Sequence, residues 1–235
     1  MRKISNISKI SLALLIIALF IFSMDNTISY ANSIKVNDEV NSLFIDFMNE
    51  AFSNINKFYV ANQDGEDVTD YFKKEVEILL DRRDYKAIQK LIISENLVPY
   101  IESTIDTKNN DGLMRASRTQ LCSDIITHSY NLQGEIQTWE VLLTGTMTYN
   151  PNTGEIYTAS SPSLSLYDDS GIHYNLRARI LDVQTDKIIL SSRVQFYATY
   201  RMEARVNGYV PGTDLGPYQI VDFGIYRPQF YAYPE

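Results

Sequence analysis

The side chains able to do chemistry are few. The chain of 235 residues holds two histidines, His128 and His173, and one cysteine, Cys122. Two histidines cannot complete a three-histidine zinc site. The nucleophile elbow, the phosphate-cradling loop, the Cys-x-x-Cys pair and the helical His-Glu-x-x-His are all absent. Ser129 follows His128, yet a base and its nucleophile must be neighbours in space rather than in sequence. His173 falls on the wet face of an alternating segment, where a solvated imidazole is expected. Asp168 and Asp169 belong to an Asp-Asp-Ser-Gly turn, whereas paired catalytic carboxylates come from separate strands. The acidic stretch Asn62–Asp67 fails as a calcium loop: its glycine is fourth, not sixth, and its twelfth position is Lys73. No catalytic residue, metal site or cofactor is assigned, and the reading leans to binding rather than catalysis.

Arginine and tyrosine stand above this background. After Thr119 there are six arginines and a single lysine. Arg177, Arg179, Arg193, Arg201 and Arg205 alternate with apolar residues, which predicts one cationic strip on the wet side of a sheet. The planar guanidinium fork suits phosphate and carboxylate. Tyr197 shares that face, and 12 of the 17 tyrosines follow Thr119. Tyrosine rings stack on sugars and serve adaptable interfaces, though they also fill strands. The expected ligand-binding residues are therefore Arg177, Arg179, Arg193, Tyr197, Arg201 and Arg205. The matching partners are an anionic cell-wall polymer, an anionic glycan or an acidic protein. Nucleic acid is disfavoured by the net charge of −8.

Positioning these residues requires strands. From residue 120 to 235, Ile172 to Ile180 and Leu190 to Val206 alternate apolar and polar, with Asp182–Lys187 as the expected connection. Trp139 to Tyr149 alternates too, and Asn150-Pro151-Asn152-Thr153-Gly154 turns it back on Ile156 onward. One wet and one dry face predict an antiparallel β-sandwich or partly open barrel. Residues 32–105 read instead as a small helical bundle. One apolar stripe runs from Val36 to Tyr59 with Asn37 as its cap, a second helix starts near Asp67 or Thr69, and a third is capped by Asp84. Pro99 is expected to break or bend the chain. Residues 106–119 read as a linker, with Arg115 and Arg118 open to proteases. The fold class is thus α+β: a signal segment, a helical bundle, then an all-β domain.

Residues 1–31 read as a signal peptide. Arg2, Lys3 and Lys9 precede the apolar run Ile10–Phe22, and Ser29-Tyr30-Ala31 offers a cleavage site. The run spans about 20 Å, short of a roughly 30 Å hydrocarbon core, so no stable membrane anchor is expected. In style this resembles a protein exported by a Gram-positive bacterium. Cys122 cannot form an internal disulfide and reads as a small buried hydrophobe. The expectation is a secreted, non-enzymatic protein, extracellular or cell-wall associated, whose β-domain binds an extracellular or cell-surface ligand. The alternative is a secreted effector, toxin-like or an unfamiliar hydrolase, with the helical part a cleaved pro-segment. Leu142, Pro151 and Pro162 spoil the pattern of a membrane-inserting hairpin.

Overall fold

The computed structural model describes residues 41–106, 114–173, 175–207 and 218–235. Helix α1 runs over Ser42–Ser53, and Asn41 Oδ1 accepts the Leu43 N–H at 2.9 Å. That bond satisfies a donor the helix itself leaves open. Phe44, Phe47, Met48 and Ala51 are its buried face. The cap expected at Asn37, like the signal segment ending at Ala31, lies outside the described residues.

The single helix expected through Tyr59 ends early. Ser53 and Asn54 turn their side chains back onto the carbonyls of Asn49 and Glu50. A 3-10 turn covers Ile55–Lys57, and Phe58–Ala61 becomes strand β1. Phe58, Tyr59 and Val60 are aromatic or β-branched, and such residues pack well on a pleated surface. Helix α2 covers Thr69–Asp81 and buries Phe72 and Val76. Asp67 Oδ1 accepts the Thr69 N–H at 2.9 Å. Helix α3 covers Tyr85–Ser94, with Asp84 Oδ1 accepting from Ala87 N as expected.

Strand β2, Val98–Asp106, replaces the rest of the expected bundle, and Pro99 is its second residue. β1 and β2 pair, and β2 continues onto β3, Met114–Leu132. The linker reading of 106–119 is corrected for its described part: Asp106 pairs with Met114, and Arg115 and Arg118 are strand residues. β4 (Glu135–Tyr149), β5 (Ile156–Ala159) and β6 (Ser163–Asp168) complete a six-stranded antiparallel sheet. The turn after Tyr149 returns β5 onto β4, pairing Met147 with Ala159. The described residues fall within one compact unit, and β1 and β2 belong to the same sheet as β3 and β4.

The second sheet holds β7 (Asn175–Ile189), β8 (Val194–Asn207), β9 (Tyr218–Tyr226) and β10 (Gln229–Ala232), with β8 central. The expected Asp182–Lys187 connection is strand. Leu181 pairs with Arg201 and Gln184 with Thr199, so Asp182 and Val183 together oppose Tyr200 as a bulge. Asp182 takes φ +53°, a left-handed value that aspartate tolerates. The bulge reverses which parity faces inward, and this phase change gives the sequence its broken rhythm. The hairpin turns lower down, where Leu190 N donates to Arg193 O at 2.9 Å.

Two cores result. One lies between the helices and the first sheet, joining Phe44, Met48, Phe72 and Ile88 to Val60, Ile101 and Leu121. The other joins the two sheets through Trp139, Val141, Leu143, Phe196, Tyr200 and Met202. Trp139 Nε1 donates to the Tyr200 hydroxyl across that core at 2.8 Å. Gly145 lets the sheets meet closely, because a Cβ there would stand 2.5 Å from the Phe196 ring. Cys122 is in the same core, and burial pushes its thiol well above the usual range.

Candidate functional site

Strand β8 buries its even-numbered residues. Val194, Phe196, Ala198, Tyr200, Met202 and Ala204 are each no more than 1% exposed. The odd-numbered residues therefore face outward, among them Tyr197, Arg201, Glu203 and Arg205. Across the pair, Arg177 opposes Arg205, Arg179 opposes Glu203 and Asp186 opposes Tyr197. The alternation thus brings the cationic residues to one side, and the tertiary structure splits them into three environments.

The first is a shallow depression of about 190 Å³ lined by Arg177, Arg179, Glu203, Ala204, Arg205 and Ile220. Among the described residues, its rim carries three guanidinium groups and one carboxylate. Arg179 donates through Nη2 to Glu203 Oε2 at 2.7 Å. Arg177 and Arg205 are directly opposite, and like charges so placed repel one another.

Arg201 occupies the second environment. It lies 3.0 Å from Asp182, 3.2 Å from Glu203 and 3.5 Å from Asp222. The hydrogen bond to Asp182 chiefly raises its pKa. This arginine is a structural tie between the β7 bulge, β8 and β9. At the far end, Arg193 stands 4.4 Å over the Tyr231 ring and donates to the Tyr233 hydroxyl at 3.2 Å. From Arg193 to Arg205 the strand climbs roughly 40 Å at about 3.3 Å per residue. No single small ligand reaches both. Tyr197 donates to Asp186 Oδ2 at 3.1 Å, and this bond raises its own pKa.

The remaining candidate groups are scattered. His173 is exposed, with Nδ1 3.5 Å from Glu135 Oε2. His128 is half-buried, its ring 4.9 Å from Tyr226, 5.8 Å from Tyr200 and 6.1 Å from Trp139. Burial lowers its pKa. Asp168 accepts from the Ser170 N–H at 2.9 Å, and this backbone bond holds its carboxyl below the usual range. Asn62 Oδ1 accepts from Asp64 N and Glu66 N, so its loop is closed by its own side chain. Among the described residues no three His, Cys, Asp or Glu gather as a metal site. No helix among them is long and apolar enough to cross a membrane.

Sequence reasoning missed Ile220, Asp182 and Asp222. They come from β9 and the β7 bulge, and only pairing to β8 brings them alongside the arginines. Among the described residues, the fold and this face define a mostly β protein of two antiparallel sheets and three α-helices with an open, arginine-rimmed depression. No family model, no curated protein and no solved structure matches the chain.

Proposed function

We propose that this is a secreted β-sandwich protein that binds a phosphate- or carboxylate-bearing polymer of the cell surface on the outer face of its second sheet. The observation that carries the reading is the convergence of Arg177, Arg179 and Arg205 on one depression, with Glu203 the one carboxylate among the described residues of its lining. The guanidinium forks grip the anionic groups in pairs, and repetition along a polymer multiplies weak contacts. Arg193 and Tyr231 give an extended ligand a second foothold at the far end of the face. Arg201 holds the sheet rather than the ligand.

The test is retention on purified Gram-positive cell walls, and on soluble polyphosphate, across a salt series. The Arg177→Ser/Arg205→Ser double variant should bind at least about tenfold more weakly, the equivalent of about 1.4 kcal/mol, with an unchanged melting temperature. Wild-type binding should weaken as salt rises. Retention unaffected by both the double substitution and salt overturns the reading.

A further inference from the structure

A row of stacked planar side chains lies on the first sheet, away from the arginine face. Tyr59 on β1 stacks with Tyr100 on β2 at 5.6 Å between ring centroids and 19° between planes. On β3, the Arg118 guanidinium lies 4.0 Å over the Tyr100 ring. Because the strands run in the order β1-β2-β3, these three planes form a row across the sheet with Tyr59 as its outermost member. The row is held rigid from its inner end. Arg118 Nη2 donates to Glu102 Oε1 at 2.9 Å, and its Nη1 donates to the Glu235 carbonyl oxygen at 3.3 Å.

β1 is the edge strand, so the row ends at the rim of the sheet. There a depression of about 430 Å³ is lined by Tyr59, Asp67, Asp70, Tyr71 and Lys73, among others. Its rim is also anchored: Lys73 Nζ donates to the Ile55 carbonyl at 3.1 Å, and the Tyr71 hydroxyl donates to Glu95 at 2.9 Å. Asp67 and Asp70 are exposed. The Asp67 carboxyl is held below its usual range by its hydrogen bonds to Thr69, so it is an acceptor at neutral pH.

We infer that this depression binds a neutral pyranose ring of an oligosaccharide, stacked on Tyr59 with its hydroxyls directed to Asp67 and Asp70. The ligand class follows from the chemistry of the walls. A preorganised aromatic face takes a flat patch of C–H groups. Ionised carboxylates only accept, so the ligand must carry several donors around that patch. A polyol ring meets both demands, and an anionic one is repelled by the two aspartates. The site is independent of the arginine depression, and its ligand is neutral rather than anionic.

The test uses saturation-transfer difference NMR on the purified protein with neutral tetra- to hexasaccharides of glucose, mannose and N-acetylglucosamine. Ring C–H protons of at least one oligosaccharide should receive saturation. Tyr59→Ala should abolish it, while Tyr59→Phe, which keeps the ring, should retain it. Asp70→Asn, which leaves the stacked row untouched, should weaken binding severalfold and stands in if Tyr59→Ala does not fold. Absence of transfer from every oligosaccharide overturns the inference. So does transfer that survives Tyr59→Ala in a folded protein, or binding unchanged in Asp70→Asn. Polyphosphate binding by wild type is read separately, so failure of one site is distinguishable from failure of the other.

Discussion

Arg201 and Arg205 lie on one strand and one face, four residues apart, in different electrostatic surroundings. Arg201 sits among Asp182, Glu203 and Asp222 and is engaged by all three. Arg205 faces Arg177 across the strand pair and rims a depression with Arg179. A row of arginines on a strand is therefore not a uniform cationic surface. Its character is set strand by strand, by whatever the neighbouring chains bring to the same level.

Substitutions can break or sharpen this contrast. The largest effect should come from beneath both regions. Phe196 is fully buried against Gly145 and Phe230, and Phe196→Ala should cost about 3–5 kcal/mol in a urea titration. A loss under about 1 kcal/mol would mean that the two sheets do not pack as described. Glu203→Gln comes next. Glu203 is only 13% exposed and partners both Arg179 and Arg201, so stability should fall by about 1–2 kcal/mol. The same change frees Arg179, so polyphosphate should bind severalfold more tightly. Tighter binding with lower stability would sharpen the contrast, and weaker binding would abolish it. Arg201→Ser should cost less, about 1 kcal/mol or below, because its carboxylate partners Asp182 and Asp222 are well exposed and screened. It should leave polymer retention within about twofold of wild type.

The smallest effect tests the interior. His128 is kept neutral by burial among the rings of Trp139, Tyr200 and Tyr226. Its folded pKa lies below its unfolded one, so the unfolded chain takes up the proton first as pH falls. Stability from this group is therefore complete above the unfolded value of about 6.5 and is lost progressively below it. His128→Phe should flatten the melting temperature between pH 7 and pH 5 by a few degrees. Parallel curves for the two proteins would show that the imidazole is not desolvated.

The alternation of β8 was legible because one buried core enforces period two over its whole length. Trp139 and the β4–β5 hairpin were legible for the same reason. β1 and β2 were hidden because Phe58, Tyr59 and Ile101 also fit three- and four-residue spacing, and local period cannot arbitrate short apolar runs. β4 shows the complementary problem. Leu142 and Thr144 look like solvent-facing residues in an alternating strand, yet both are fully buried because each face of the first sheet is covered. The bulge at Asp182 hid half of β7, since one inserted residue inverts the face that each later side chain presents.

The sequence alone determined which residues of β8 point away from the core, because pleating and burial act on neighbours within one segment. It also determined the types available for chemistry: many arginines and tyrosines, two histidines, one cysteine. Only the tertiary structure decided which arginines meet Asp182 and Asp222 and which rim the depression, and it alone assembled Tyr59, Tyr100 and Arg118 into a row. Those outcomes depend on strand register between segments distant in sequence. Register is fixed by the summed packing of whole sheets, a quantity that no local stretch of residues carries.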